Sequence, residues 1–519
     1  MKALFINPSA PKTTFWSHKH ALEFAGVKAQ MPPLGLLTVA AMLPDTWTVR
    51  LVDMDVHPLT DEDLNWAEIA FIGGMCVQAK SMEEVIRRCR ELKIRTCGGG
   101  AIYASLEHIA RVDHLFLGEV EQLMPEFLDD LAAGHAKNIY RAETFPDLSL
   151  TPIPRWDLID FSNYLTVPMQ ISRGCPYNCD FCHVRIIYGK KPRSKSVSRV
   201  LSELDSLYEH GWRGTVFFAD DNFIGRRDLA KQILSAMISW QSTHGYPFHF
   251  IGQASVDVGD DPQLPQLLQQ AGFEALFIGI ESTVAASLSE CNKKQNLDCN
   301  LFEVVRLLQE HSMEVLGGFI VGFDSDPPTI FDDLYRFIDE AALVSAMVGV
   351  LAAPYGTELF RRMVAENRLI RNLDGDSIAN FSGMNVVPAM GWDRLLDGYK
   401  KLLAKLYEPA PYYQRALRFL SRYKINPWLP GGLPSPAELR IILRMLWGLG
   451  VKDSDRRSFW RFMAELLMKY PQLLPHGINI VLAGYHYRLI SRRFIETEHD
   501  HASVEPLSDF SEPIFNNVR

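Results

Sequence analysis

The chain lacks any window near the roughly 20 consecutive apolar residues that a membrane-spanning helix needs. The best candidate, residues 478–484, is short and runs into Tyr485, His486 and Arg488, so no bilayer crossing is expected. A basic excess is also missing. Lys and Arg total 53 against 62 Asp and Glu, a formal charge of -9, which argues against a general nucleic-acid binder. There is no internal repeat and no low-complexity run. Cysteine is sparse, eight in 519 residues, and Cys76, Cys89, Cys97, Cys291 and Cys299 are scattered without the dense spacing of a secreted disulfide scaffold. A reducing, cytoplasmic compartment is expected. The opening Met1-Lys-Ala-Leu-Phe-Ile-Asn-Pro8 lacks the charged segment, long apolar stretch and cleavage site of a secretory leader, and it reads as a first strand.

What is present is an ordinary globular composition, 47% hydrophobic and 22% charged, in a length that suggests roughly three domains at about 150 residues each. Over residues 1–140, β-branched runs at 3–7, 48–53, 69–73, 95–98 and 114–118 alternate with helical periodicity at 34–43, 81–92 and 122–131, the pattern of a parallel α/β sheet. The later strands end in Gly73-Gly74-Met75, Gly98-Gly99-Gly100 and Gly118-Glu119. In a doubly wound sheet a ligand sits outside the carboxyl ends of the strands, where glycine admits close backbone approach; the same glycines are also ordinary turn chemistry. Residues 141–166, with Pro146, Pro152 and Pro154, read as a linker. Six strand–helix units follow over 167–366, with strands near 168–172, 215–219, 248–253, 275–280, 315–321 and 346–351. They predict a partial (β/α)6 barrel with its site at the strand carboxyl ends. From 367 to 519 the strand signal fades into a mainly helical region, broken by the proline-rich stretch 428–436.

The first barrel strand runs into Ile171-Ser-Arg-Gly-Cys-Pro-Tyr-Asn-Cys-Asp-Phe-Cys182, a C-x-x-x-C-x-x-C triplet. Three thiolates on one short loop are a metal site. Iron–sulfur clusters are usually held by four cysteines, so three on a cubane leave one iron open to an exogenous ligand. Three-quarters of a structural zinc site is the alternative, but closed zinc sites take four ligands and no partner pair is nearby. Asp220-Asp221-Asn222 ends the second strand; carboxylates there suit an ammonium or cap a helix.

With an aromatic, Phe181, before the third cysteine, the triplet resembles the radical S-adenosylmethionine (SAM) superfamily. The resemblance implies a 4Fe–4S cluster on Cys175, Cys179 and Cys182 whose open iron takes the amino and carboxylate groups of SAM. An electron, from an external donor of flavodoxin or ferredoxin type, then cleaves the sulfonium bond to a 5′-deoxyadenosyl radical; such chemistry belongs to the cofactor and is oriented by the protein. Matching positions implied to contact SAM are Phe181, Asp220, Asp221, Asn222, Gln253, Ser255 and Glu281. Ile320 and Gly322 of Gly317-Gly-Phe-Ile-Val-Gly322 join them as the adenine-binding strand. Pro354-Tyr-Gly-Thr357 resembles a turn of many members.

A Rossmann-like unit before such a barrel, with Met31-Pro-Pro-Leu-Gly35-Leu-Leu after its first strand, resembles the cobalamin-dependent (class B) radical SAM enzymes. It implies cobalamin contacts from Asn7, Gly35, Gly73, Gly74, Met75, Gly98, Gly99, Gly118 and Glu119. Asp55-Val-His57 matches only half of the D-x-H-x-x-G motif that supplies a histidine to cobalt, so His57 reads as a loop residue and no histidine beneath the cobalt is expected. The stretches Gly211-Trp-Arg-Gly214, Phe218-Ala-Asp-Asp-Asn-Phe-Ile-Gly225 and 317–327 sharpen the resemblance to relatives of hopanoid methylases and bacteriochlorophyll side-chain methyltransferases; His183-Val-Arg185 departs where relatives often carry an acidic residue.

The implied reaction moves a methyl from methylcobalamin to a substrate carbon radical, on a small molecule such as a lipid or pigment. Oxidation, cyclisation or rearrangement without methyl transfer would carry the same motifs. A methylthiotransferase would need a further amino-terminal cysteine triad, and a non-catalytic scaffold would be a colourless zinc protein. Segments 458–468 and 478–494, with Arg488, Arg492 and Arg493, suit either helices covering the barrel or helices lying on a membrane surface.

Overall fold

The computed structural model describes residues 1–11, 14–100, 112–370, 384–429 and 435–497. The first sheet comprises β1 (Lys2–Asn7), β2 (Thr48–Asp53), β3 (Ile69–Gly73), β4 (Arg95–Gly99), β5 (His114–Leu117) and β6 (Ile139–Arg141), all parallel in the order β2-β1-β3-β4-β5-β6. The winding reverses between β1 and β3, the switch point outside which ligands sit in such sheets. Strands of this kind are covered on both faces and read as continuous apolar runs, as Ala3 to Ile6 do here, all fully buried. The sixth strand was not foreseen. It ends on Arg141, where the linker was expected to begin, and Leu148 and Trp156 beyond it are buried, so this stretch packs rather than hangs free.

The barrel comprises β7 (Val167–Met169), β8 (Ser172–Arg173), β9 (Arg193–Ser194), β10 (Gly214–Phe218), β11 (Phe248–Ala254), β12 (Phe273–Glu281), β13 (Glu314–Val321) and β14 (Ser345–Val350). Six of them form a parallel sheet in the order β14-β13-β12-β11-β10-β7, with no ladder between β14 and β7 among the described residues. The barrel is therefore open. Its expected first strand, 168–172, is broken at Met169, and β8 turns to pair antiparallel with β9. The cause is Asp220, whose carboxylate accepts the Ile171 and Ser172 backbone N–H groups and the Ser172 hydroxyl, drawing the chain out of the ladder.

Helices Trp392–Tyr407, Pro409–Arg422, Pro436–Trp447, Arg456–Lys469 and Leu474–Glu496 follow. The proline-rich stretch separates Arg422 from Pro436, with part of it outside the described residues. Tyr399 and Tyr407 donate to the Val348 and Ala346 carbonyls, covering polar groups along the edge strand β14. Helix Leu474–Glu496 buries Ile480, Val481, Leu482, Tyr487, Ile490 and Phe494, and is a packing helix rather than a surface one. Among the described residues no helix is long and apolar enough to cross a membrane.

Candidate active site

The carboxyl ends of both sheets open on one cavity of about 3230 Å³, several times the usual 300–1,000 Å³ of a small-molecule site. One wall is the first sheet: Asn7, Gly35, Gly73, Gly74, Met75, Gly98, Gly99, Gly118 and Glu119 all line it. The other is the barrel mouth, where Cys179, Cys182, Gln253, Glu281 and Ile320 line it. The cavity continues down the barrel between Phe217, Ile251, Phe277, Leu316 and Met347 to a polar floor of Thr215, Glu274, Glu314, Ser345 and His476. On that floor Glu314 accepts from Ser345 at 2.6 Å, and burial pushes its carboxyl up to about 7.

Gly174 starts the cysteine loop at φ +91°, and a Cβ there would meet the carbonyl oxygens of Gly189, Tyr188 and Lys191 at 3.0–3.2 Å; only glycine fits the turn. The three cysteines are free and half-buried. Burial raises all three thiols, Cys182 to about 12, so they are neutral until a metal displaces their protons. Each sulfur already has a donor: Asn222 and the Tyr177 N–H at Cys175, the Gln295 amide at 3.7 Å from Cys179, and the Val184 N–H at Cys182. Among the described residues no three His, Cys, Asp or Glu side chains converge as a single ion requires. A cubane, in which each thiolate takes its own iron, needs no such convergence.

Behind the loop lies the segment Cys291-Asn-Lys-Lys-Gln-Asn296, which sequence reasoning missed. The Asp180 N–H donates to the Cys291 carbonyl (3.0 Å), Asn292 to the Asn178 carbonyl (2.7 Å), and Asn296 to the Gly279 and Ile280 carbonyls. Lys293 meets Glu281 at 2.7 Å, with both side chains 11% exposed, and its ammonium lies 5.9 Å from the Phe181 ring. Burial opposes the charge of Lys293, yet Glu281 holds its pKa well above the ordinary lysine value. Glu281 itself stands at φ +61°, a left-handed conformation uncommon for a non-glycine residue. The only signal in the sequence is the Lys-Lys-Gln run beside a buried cysteine.

Several expected SAM contacts lie off the cavity. Asp220 is fully buried and its carboxylate is occupied by Ile171 and Ser172, so it orders the chain entering the cysteine loop and is not open to an ammonium. Asp221 accepts the Gly174 N–H at 2.9 Å, and burial raises it to about 6. Asn222 and Ser255 bond each other at 3.0 Å beside Cys175, and Ser255 joins Asp257, Tyr177 and Arg227 in a network. Phe181 packs toward Phe323 and Lys293. Gly322, at φ +104°, donates its N–H to Asp326 in the turn after β13. His57 is exposed and outside the cavity.

Comparison with known proteins fits this architecture. The family model described as the radical SAM superfamily matches residues 169–338, and one described as a domain of unknown function (DUF4070) matches 357–500. An uncharacterised methyltransferase of Synechocystis is 36% identical over 502 residues, 95% of this chain and 93% of that one. The hopanoid C-2 methylase of Rhodopseudomonas palustris is 30% identical over 491 residues, 92% and 91% of the two chains. The chain belongs to the radical SAM methyltransferase family of the hopanoid C-2 methylase. The solved structure of the cobalamin-dependent SAM radical enzyme OxsB, with aqua-cobalamin and SAM bound, shares the fold at a TM-score of 0.60 with 16% identity, over 95% of this chain and 79% of that one.

A 4Fe–4S cluster and SAM are implied by the superfamily and cobalamin by the OxsB fold, and the residues present fit these groups. The first-sheet wall, where cobalamin would sit, is backbone and glycine: a Cβ on Gly118, at φ +112°, would meet Ala142 Cβ at 2.7 Å, and one on Gly73 would meet Leu36 at 3.0 Å. The nine sequence-predicted wall residues come together at the β1/β3 switch point and along β4 and β5. Glu119 is also a structural brace. With Glu121 it holds Arg173, two residues before Cys175, at 2.5 and 2.8 Å, and it bonds Arg193 as well. Burial works against the Glu121 charge, but Arg173 holds its carboxyl below the ordinary range. These buried pairs tie the first sheet to the barrel of the family fold.

Proposed function

We propose that this chain methylates an unactivated carbon of an apolar small molecule that carries a hydrogen-bonding end. The observation that supports this reading is the barrel interior, an apolar tube from Phe217 and Phe277 to Met347 that ends on Thr215, Glu274, Glu314, Ser345 and His476. Apolar walls with a few convergent polar groups bind and orient such a molecule. Its relative in Rhodopseudomonas palustris is by name a hopanoid C-2 methylase.

When bound, the cluster, SAM and cobalamin supply the radical and the methyl group, with electrons from a flavodoxin- or ferredoxin-type donor. Cys175, Cys179 and Cys182 would hold the cluster, while Asn222 and Gln295 would donate hydrogen bonds to its sulfurs. Glu281 and Gln253 would hold SAM at the mouth, with Ile320 against its adenine. Lys293 holds Glu281 in place through their 2.7 Å contact. The glycine-ended strands would seat cobalamin, and Phe217, Ile251 and Met347 would exclude water from the reacting carbon.

Anaerobic reconstitution with iron, sulfide, cobalamin, SAM and cell lipids tests this, with 5′-deoxyadenosine and S-adenosylhomocysteine both measured. Both products are expected together. Deoxyadenosine without the homocysteine would leave oxidation or rearrangement in place of methyl transfer. Comparing lipids and pigments from strains with and without the gene identifies the substrate.

A further inference from the structure

Helix Pro436–Trp447 is apolar on more than the face it packs. Met445 is fully buried and Ile441 lines the cavity, yet Leu439, Leu443 and Trp447, spaced four residues apart, form an outward stripe in which Leu443 is 63% and Trp447 59% exposed. Val451 extends it. On helix Arg456–Lys469, Trp460 and Met468, the latter 73% exposed, continue it. The Trp460 indole N–H donates to the Gly450 carbonyl at 2.8 Å, and the Lys452 ammonium lies 5.7 Å from the Trp447 ring, so the two stripes form one patch. A contiguous exposed apolar surface of this kind marks an interaction site.

The surroundings indicate the partner. Residues 435–470 carry seven Lys and Arg against four Asp and Glu, in a chain whose formal charge is -9. Three of those four acids are already paired, Asp453 and Asp455 with Arg488 and Glu465 with Lys469. The face is therefore apolar, tryptophan-bearing and rimmed by arginine. Indole rings favour the boundary between headgroups and acyl chains, and basic residues are drawn to anionic lipid.

We infer that this face docks on the surface of an anionic phospholipid bilayer, with helix Pro436–Trp447 standing between the membrane and the cavity. The docking stands on the surface alone. Its use, delivering an apolar substrate from membrane to cavity, rests on the proposed function. Vesicle flotation of the full-length reconstituted protein needs no turnover, so it fails or succeeds independently of that function.

Wild type is expected to float with phosphatidylcholine vesicles containing phosphatidylglycerol, to float poorly with phosphatidylcholine alone, and to release as salt rises. The pair Leu443→Glu/Trp447→Glu should weaken flotation by about tenfold or more, with circular dichroism and iron content unchanged. The pair Arg457→Glu/Arg461→Glu should remove the preference for anionic vesicles while leaving the apolar face intact. Failure of wild type to float at low salt, or equal flotation of the Leu443→Glu/Trp447→Glu protein, overturns the inference. So does a wild-type dimer that this pair converts to monomer with neither form floating, because the face would then be covered by a second copy.

Discussion

At the carboxyl end of the first sheet the cavity wall is glycine and main chain, with β3 and β4 ending at Gly73 and Gly99 and with Gly118 directly after β5. At the carboxyl end of the barrel it is side chain, with Cys179, Cys182, Gln253 and Glu281 on the cavity, backed by Lys293 and by the carboxylates Asp220, Asp221 and Asp257 locked into hydrogen bonds around the cysteine loop. Both sheets are six-stranded and parallel, so topology does not account for the contrast. A bare backbone wall accepts a large group by shape. A wall of buried charges fixes positions and polarity, and each of its members needs a partner. One end should therefore tolerate polar change and resist bulk, and the other should do the reverse.

The largest test of that contrast is Cys175→Ala, Cys179→Ala or Cys182→Ala. Each should lose the brown cluster and bring deoxyadenosine formation below detection, while the first sheet still binds cobalamin; iron content and the cobalamin spectrum read the two ends separately. Next, Lys293→Met leaves the Glu281 carboxylate buried without its partner and should cost about 3–5 kcal/mol of stability. The double variant Lys293→Met/Glu281→Gln should recover much of the melting temperature but not turnover. Recovery of both would reduce the pair to packing.

Gly118→Val should invert the pattern. Strain at φ +112° costs about 1–3 kcal/mol, and cobalamin should be lost with the cluster retained. A variant that keeps cobalamin would break the comparison. The smallest effect concerns the brace between the two walls. The Glu121 pKa is depressed in the folded state, so its contribution to stability is present above the ordinary carboxylate range and is lost as pH falls through the folded value. Thermal melts of wild type should weaken in acid more steeply than those of Glu121→Gln, which lacks the titrating group.

Much of this was legible from the chain. The strands of both sheets fall within a few residues of their expected places, because runs buried on both faces are bounded by glycine and polar turns. The glycine wall of the cavity was legible for the same reason, since its residues sit at the ends of those strands. The SAM side was less so. Gln253, Glu281 and Ile320 reach the cavity, but Asp220 turns inward to Ser172, and nothing local distinguishes a carboxylate that binds a ligand from one that binds its own backbone. The Lys293–Glu281 pair, the Gln295 donor and the Arg173–Glu119 brace join residues 12, 116 and 54 positions apart, distances over which periodicity carries no information.

By itself the sequence determined the two parallel sheets, the three cysteines and the glycine-ended wall, all of which follow from local pattern and from the chemistry of residue types. Only the tertiary structure decided that both walls share one cavity, that Asp220 braces the cysteine loop, and that helix Leu474–Glu496 is core while Leu443 and Trp447 face outward. Those outcomes depend on which buried charges find partners and which apolar faces find cover, and such pairings exist only once distant segments have packed together.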